Sequence, residues 1–450
     1  HFTDVTHDTG LDKLSGHFLG CAVGDYDNDG YEDLYISAYR GGVLLHNEHG
    51  ARFRDVTHEA GIGPQPWGAS CAFADINNDG KLDLYIGCYV QFGPETQPQL
   101  CGSGPVQGAC NPNVYGAERG VLYLNTGSGR FRDATVEWQA QKTAGKTLGA
   151  AFADYDGSGR ESLALANDGE PGDLFRNRGT RFENAGISSG TAYDGDGKVH
   201  AGMGIDWGDY DNDGRLDLAV ATFPQEAKCI YHNDGEGAFT ERSGPLGVTP
   251  RSLRRLTFGI KWFDYDNDGW LDLALTNGHI QDNIEAADNT QKYRQAPQLF
   301  HNLKGSSFAE VSANAGESFQ REIVGRGLAV GDFDNDGRVD MLIVDSDGEP
   351  LLLHNETPDT GHWLCFKLAG TKSNRDAIGT LVTVTAGGMT QVRRCGTDGS
   401  YLSASDRRVH VGLGRAATAD SVTVLWPSGI TTTLHNIPAD RIISLSEGTS

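Results

Sequence analysis

Apolar residues along this chain come in short runs, and each run is closed by Gly, Asp, Asn or Pro. Gly20-Cys21-Ala22-Val23-Gly24, Leu34-Tyr35-Ile36, Leu218-Ala219-Val220-Ala221, Leu273-Ala274-Leu275 and Met341-Leu342-Ile343-Val344 are examples. Short apolar runs bounded by turn residues predict buried strands. A second set ends in Asn: Leu44-Leu45-His46-Asn47, Leu122-Tyr123-Leu124-Asn125, Leu174-Phe175-Arg176-Asn177, Ile230-Tyr231-His232-Asn233, Leu299-Phe300-His301-Asn302 and Leu352-Leu353-His354-Asn355. A third set is led by Phe, as in Phe53-Arg54-Asp55-Val56-Thr57, Phe131-Arg132-Asp133-Ala134-Thr135, Phe239-Thr240-Glu241 and Phe308-Ala309-Glu310-Val311. Each unit therefore holds about four strands. No apolar run is long enough to span a membrane as a helix.

Between the first and second strand of each unit lies an acidic loop, Asp-x-Asp-x-Asp-Gly-x-x-Asp. Its first Asp falls at 25, 75, 154, 209, 264 and 332. A period in this range with four strands per unit predicts propeller blades. Six units are counted; seven blades would require one unit without a loop. The sixth unit lacks a Phe-led strand and the N-terminus has a spare one, Phe2-Thr3-Asp4-Val5-Thr6. Pairing the two would close the ring and hide its edges.

Oxygen ligands at alternate positions converge on one hard cation only if the chain turns sharply, which the Gly at position six permits. The loop is no EF-hand, because its last acid is at position nine and its flanks are strands. The expected calcium ligands are Asp25, Asp27, Asp29 and Asp33; Asp75, Asn77, Asp79 and Asp83; Asp209, Asp211, Asp213 and Asp217; Asp264, Asp266, Asp268 and Asp272; Asp332, Asp334, Asp336 and Asp340. Position seven would add a backbone carbonyl: Tyr31, Lys81, Arg215, Trp270, Arg338. The third loop is degraded to Asp154, Asp156 and Ser158, with Ser162 at position nine. Asp-Gly pairs also make plain hairpin turns. Several acids within nine residues, repeated, would repel without a cation. Five or six calcium ions are expected.

Insertions lengthen some units. Residues 91–120 hold Pro94, Pro98, Pro105, Pro112, Cys101 and Cys110; residues 278–298 begin Gly278-His279-Ile280-Gln281-Asp282; a third excursion covers 185–203. Long loops on a rigid scaffold are where binding usually sits. The propeller reads as 1–357. From 358 to 450 the acidic loops stop and alternation takes over, as in Leu381-Val382-Thr383-Val384-Thr385 and Ser421-Val422-Thr423-Val424-Leu425-Trp426-Pro427. That predicts a small β-sandwich.

The chain resembles FG-GAP (VCBS-type) repeat propellers with a C-terminal ASPIC/UnbV domain, the cartilage acidic protein family. The loops, Asn277-Gly278-His279 and Gly325-Arg326-Gly327 carry the resemblance in the propeller. His362-Trp363-Leu364, Ser373-Asn374-Arg375-Asp376-Ala377-Ile378-Gly379, Val409-His410-Val411-Gly412-Leu413-Gly414 and Trp426-Pro427-Ser428-Gly429 carry it in the last domain. The resemblance implies a secreted, calcium-binding, all-β protein and transfers no catalytic motif.

Composition adds three points. Gly accounts for 61 of 450 residues, about double ordinary usage, as many tight turns require. The formal charge is −24, which disfavours nucleic acid and anionic membrane as partners. Eight cysteines fit an oxidising compartment, extracellular or periplasmic. Cys101 and Cys110 would staple one insertion, Cys365 and Cys395 are paired candidates in the last domain, and Cys21 and Cys71 occupy one place in successive blades. Buried free thiols are the alternative for all of them.

The functional expectation is a secreted, monomeric calcium-binding propeller that takes a glycan, protein or small-molecule ligand on its loop face. The alternative is an enzyme on the same scaffold, metal-dependent or not, with His279, Asp282 and Glu285 as acid/base candidates beneath the insertions. A terminal His1 that chelates copper through its amine and ring is a third reading.

Overall fold

The computed structural model describes residues 2–97, 99–103, 106–141 and 145–449. Six antiparallel blades are present, the first two joined into one eight-stranded sheet where Tyr39 pairs with Trp67 and Gly41 with Gln65. Blade 1 is His17–Gly24, Asp33–Gly41, Val43–Asn47 and Phe53–Asp55; blade 2 is Gln65–Ala74, Asp83–Cys88, Val121–Gly127 and Arg130–Asp133. Blade 3 is Thr147–Ala153, Ser162–Asn167, Asp173–Asn177 and Phe182–Asn184; blade 4 is Ile205–Gly208, Asp217–Val220, Cys229–Gly235 and Ala238–Glu241. Blade 5 is Thr257–Phe263, Asp272–Asn277, Gln298–Asn302 and Phe308–Glu310, and blade 6 has three strands, Gly325–Gly331, Asp340–Asp345 and Leu351–Leu353. Inner strands such as Thr147–Ala153 and Asp272–Asn277 are buried at every position. Blades that lie between two neighbours are covered on both faces, so these strands read as continuous apolar runs, whereas the strands of blades 1 and 6 alternate.

While Asn47 of blade 1 donates to Glu32 O of its own loop, the Asn that ends the third strand of blades 2 to 6 is a lock between blades. Its side-chain amide donates to a carbonyl at loop position two of the preceding blade: Asn125 to Tyr26, Asn177 to Ile76, Asn233 to Tyr155, Asn302 to Tyr210 and Asn355 to Tyr265, at 2.7–2.9 Å. The Asn at loop position four reaches forward instead. Asn28, Asn78, Asn212 and Asn267 sit at φ 55–62° and donate to Gly80 O, Gly159 O, Gly269 O and Gly337 O. Asn tolerates this left-handed conformation better than other non-Gly residues.

The junction of blades 6 and 1 differs, which corrects the expected ring closure. Residues 2–5 form no strand. The Phe2 ring rests on Phe333 of the sixth loop with centroids 5.5 Å apart. Asn335 meets Arg408 of the C-terminal domain rather than a loop of the first blade. A fourth strand in blade 6 would need residues 2–6 to satisfy the edge left by Leu351–Leu353. The C-terminal domain bridges the junction through other groups.

That domain is a sandwich of two sheets. Val409–Gly414, His362–Ala369 and Arg441–Ser446 form one, the last two strands running parallel. Met389–Arg394, Leu381–Ala386, Thr418–Leu425 and Thr431–Pro438 form the other. Leu364, Phe366, Val382, Val384, Val422, Val424 and Trp426 fill the space between. Near the C-terminus, the Glu447 carboxylate accepts from the amides of Thr371, Lys372 and Ser373 and from the Ser373 and Ser428 hydroxyls. Burial alone would raise this carboxyl, but those donors hold it at about 2. A depressed pKa stabilises the fold above the ordinary Glu value, and the contribution is lost as pH falls through about 2. We therefore expect Glu447→Gln to destabilise the domain by roughly 3 kcal/mol at pH 7 and by much less near pH 2. Equal destabilisation at both pH values, measured by denaturant melts, would refute the assignment.

The sandwich docks on the face that carries the acidic loops. Asp25 N donates to Asp376 Oδ2 at 2.6 Å, Arg407 Nε to Glu32 Oε1 at 2.6 Å and His410 Nε2 lies 3.1 Å from Gly337 O. Residues 396–406, between the pairs Arg393-Arg394 and Arg407-Arg408, leave the sandwich and run among the innermost strands of the propeller. Thr397 Oγ1 donates to Val23 O in blade 1, and Phe152 N in blade 3 donates to Asp398 Oδ2. Ser400 and Ile205 of blade 4 exchange backbone bonds, and Leu328 N and Val330 N of blade 6 donate to the hydroxyls of Ser403 and Ser405. Glycine makes room for this segment. A Cβ at Gly204 would lie 3.0 Å from Ser400 C, and one at Gly20 would lie 3.1 Å from Leu402 Cα.

Cys101 and Cys110 are disulfide-bonded. Cys365 and Cys395 are not, which corrects the second expected pair: Cys365 is on the sheet of His362–Ala369, while Cys395 follows the strand Met389–Arg394 of the other sheet. Cys395 Sγ donates to Arg407 O at 3.3 Å. Cys21, Cys71, Cys88 and Cys229 are also free thiols.

Candidate functional site

Two places carry chemistry. The first is the set of acidic loops. In each, the Asp at position one accepts from two loop amides, as Asp25 does from Asp29 N at 2.9 Å and Gly30 N at 2.7 Å. The Asp at position nine accepts from the amide at position two and from the motif Asn, as Asp33 does from Tyr26 N and Asn47 N. These bonds hold the carboxylates in place and bury them. Burial raises Asp25 to about 7, Asp33 to about 8, Asp209 to about 7 and Asp272 to about 7. Asp211 Oδ1 and Asp266 Oδ1 are buried with no hydrogen-bond partner. Crowded, buried carboxylates with orphaned oxygens fit a hard divalent cation.

The structure also brings in a group that the sequence reading did not count. The His of the Leu-x-His-Asn segment points into its loop. His46 Nδ1 lies 3.4 Å from Asp27 and 3.2 Å from Asp33; His232 Nδ1 lies 3.4 Å from Asp211 and 3.2 Å from Asp217; His301 Nδ1 lies 3.6 Å from Asp266 and 3.2 Å from Asp272. His354 Nε2 lies 3.0 Å from Asp334. The signal was visible: His recurs at one place in the four units whose loops carry all four acids. Where the acids thin out, the His is replaced. Blade 2, with Asn77, has Leu124. Blade 3 has Arg176, whose Nε lies 2.6 Å from Asp156 Oδ2. The third loop thus carries its own counter-cation.

A mutational contrast follows. We expect Asp266→Ala to destabilise the protein, in the presence of added calcium, by roughly 3 kcal/mol or more, since it leaves a buried, unbalanced cluster. Asp156→Ala, which breaks one ion pair to the half-buried Arg176, should cost about 1 kcal/mol. Equal losses in thermal melts of the two variants would sink the distinction.

The second place is a funnel on the opposite face. In an antiparallel blade the connection between strands two and three, and that leading to the next blade, share the end away from the acidic loop. The insertions at 91–120, 185–203 and 278–298 are such connections, so all three gather on one face. Between them lies a cavity of about 940 Å³. Trp67, Tyr89, Phe92 and Tyr115 line one side, with Trp67 and Phe92 centroids 5.8 Å apart and Phe92 and Tyr115 centroids 5.5 Å apart. Asp168 accepts from Tyr89 OH at 2.6 Å, and Glu226 accepts from Ala201 N and Phe223 N. Burial raises both carboxyls. His200 is buried and its Nε2 lies 3.0 Å from Tyr231 OH; the phenol donates to Tyr193 O, which leaves His200 Nδ1 without a partner. Burial depresses His200 to about 4.

His279 also lines the funnel. Its Nδ1 accepts from Gln281 N at 3.0 Å, and burial holds it at about 4, so it is neutral at pH 7. Asp282 and Glu285 are exposed and do not line the cavity. The structure therefore does not assemble the proposed acid/base set. His1 lies outside the described residues. The floor of the funnel is Tyr401 and Leu402 from the inserted segment.

Residues 370–450 match the family described as ASPIC and UnbV, and residues 2–86, 154–220 and 209–275 match the FG-GAP-like repeat. The chain is an FG-GAP repeat propeller with a C-terminal ASPIC and UnbV domain. Cartilage acidic protein 1 shows the same relationship along the sequence. The mouse protein is 25% identical over 443 residues, covering 93% of this chain and 62% of the relative. The human protein is 25% identical over 326 residues, covering 71% and 45%. The chain thus spans less than two thirds of the length of these relatives. Among solved structures, an Agrocybe aegerita lectin specific for terminal N-acetylglucosamine aligns with TM-score 0.42 at 15% identity, covering 77% of this chain and 84% of the lectin. The Dos1 propeller aligns with TM-score 0.34 at 11% identity, covering 96% and 95%.

Proposed function

We propose that this FG-GAP repeat protein is a secreted, calcium-stabilised binding protein that captures its ligand in the funnel between the insertions. The observation that carries the reading is the cavity of about 940 Å³, lined by part-exposed aromatic rings and a few fixed polar groups. Pockets with that composition are the usual small-ligand sites. The acidic loops serve stability instead, because the sandwich covers their face. Asp25, Asp27, Asp29 and Asp33, with the equivalent residues of the loops at 209, 264 and 332, are the ligands that would hold calcium. The loop at 75 has one acid fewer, and the loop at 154 is balanced by Arg176. The relationship to cartilage acidic protein 1 supports an extracellular setting. A thermal-shift screen of saccharides, peptides and small acids against the calcium-loaded chain tests the reading. A hit should be lost on mutation of Trp67 or Phe223; hits indifferent to every funnel variant would overturn it.

The disulfide adds a prediction. Cys101 and Cys110 close only a short loop, a constraint of about 3 kcal/mol, on a hairpin formed by Leu100–Ser103 and Val106–Ala109. Cys110 lines the funnel. We expect the Cys101→Ser, Cys110→Ser variant to stay folded and calcium-loaded while ligand affinity falls about tenfold, since pre-organisation is lost. Unchanged affinity in that variant would remove the hairpin from recognition.

A further inference from the structure

We propose that the ligand site is completed by the C-terminal domain, and that the completed site binds an acidic saccharide whose carboxylate sits on Arg326 beside Tyr401. This rests on the funnel being the ligand site. Three observations carry the inference.

The first is the state of Arg326. Its guanidinium lies over the Phe258 ring, 4.0 Å from the centroid. It donates to the carbonyls of Gly278, Gly325 and His279 at 2.8–3.1 Å. Among the described residues no carboxylate forms an ion pair with it. Asp345, whose field reaches it, is engaged by Arg294 at 3.5 Å. A fixed, partly buried guanidinium with no anionic partner, lining a cavity, is built to take a planar anion.

The second is the polarity of the cavity. The Tyr401 phenol feels both Arg326 and Asp168 and, being buried, is raised to about 12. Arg326, Tyr401, Asp168 and Glu226 all line the same cavity, which thus offers a cationic group together with carboxylate acceptors. Part-exposed aromatic faces supply the walls. A sugar ring offers an apolar C–H face for such walls and hydroxyl donors for the two carboxylates. A carboxyl group on that ring answers Arg326.

The third is the origin of the floor. Tyr401 packs on Phe258 with centroids 4.8 Å apart, so the ring beneath Arg326 is fixed by a residue of the other domain. Ser400, paired with Ile205, sets its height. Without residues 396–406 the funnel would open into the propeller axis.

The test is calorimetric titration of the calcium-loaded full chain with an oligouronate and with its carboxyl-reduced, uncharged counterpart. The oligouronate should bind at least about tenfold more tightly, with affinity that falls as salt rises. Arg326→Gln should erase the difference between the two, and Arg326→Lys should restore part of it if the glutamine variant is poorly folded. Tyr401→Ala should weaken both while the melting temperature stays within a few degrees of the parent. Equal binding of charged and uncharged forms by the parent overturns the charge assignment. If that binding still needs Tyr401, the funnel remains the ligand site. Preference for a dipeptide over the oligouronate overturns the saccharide assignment. Binding that neither variant changes places recognition outside the funnel and overturns this inference and the proposed function together. No binding of the oligouronate overturns the inference alone.

Discussion

With calcium in the acidic loops as proposed, its removal by a chelator is expected to lower the melting temperature of this protein by about 20 °C or more. The size follows from counting sites. An ion held only by the folded state contributes about 2.7 kcal/mol when its free concentration is a hundred times its dissociation constant. Four loops with a full set of acids then sum to roughly 11 kcal/mol, comparable to the whole stability of a domain. The apo protein also retains the cost of burying the loop carboxyls, to which their acidic neighbours add. Asp25, Asp33, Asp209 and Asp272 are buried carboxyls raised to about 7 or 8. Differential scanning fluorimetry with chelator, then with added calcium or magnesium, is the measurement. Calcium should restore the transition and magnesium should do so weakly, because magnesium demands small octahedral sites. A melting temperature unmoved by complete demetallation would remove calcium from the account.

The second large effect is expected where the domains meet. Asp398→Ala should cost about 3–5 kcal/mol, as breaking a buried ion pair does. Asp398 accepts from Arg394 and from Phe152 N at 2.6 Å, and its backbone carbonyl accepts from Lys261 Nζ at 3.2 Å. Lys261 is itself paired with Asp206 at 2.8 Å. Removing the carboxylate strands Arg394, which is buried, beside Glu161. It also leaves an inner-strand amide of blade 3 without its acceptor. The variant should release residues 396–406 from the propeller, so limited proteolysis should cut there and in the linker at 356–361. Asp440→Ala is the control, because Asp440 pairs with His362 at an exposed edge, 2.7 Å apart, and such pairs are worth about 0–1 kcal/mol. If Asp398→Ala melts and resists protease like the parent, the inserted segment does not hold the domains together.

Much of the fold was legible because the repeat is local. Six acidic loops, the Asn-ended strands and the Phe-led strands each report a turn or a run whose partners lie within one blade. Their period gave a count of six units, with seven blades left open, and turn chemistry accounted for each loop. The sandwich was legible from alternation, as in Leu381–Ala386. The insertions at 91–120 and 278–298 announced themselves by breaking the period, and the strand connectivity of the structure puts them on one face with the 185–203 excursion.

What tertiary structure decided depends on contacts between distant segments. Asn125 and its equivalents looked like strand ends, yet each bonds to a loop in the preceding blade, some 80 to 100 positions earlier. The His of each Leu-x-His-Asn segment could not be assigned to its loop until strand pairing brought the two together. Residues 2–6 have the composition of a closing strand, but the blade 6–1 junction is bridged by Arg407, Arg408 and the hydroxyls of Ser403 and Ser405. The sequence Arg393-Arg394 … Arg407-Arg408 around a Gly- and Ser-rich stretch was the available clue. Composition alone cannot say where such a stretch inserts, because the glycines that admit it, Gly20 and Gly204, lie in other blades. Cys365 and Cys395 show the same limit: spacing made them a candidate pair, while the sandwich placed them on different sheets. Arg326 and Tyr401 belong to different domains, and only the insertion of one domain into the other brings them to the same cavity.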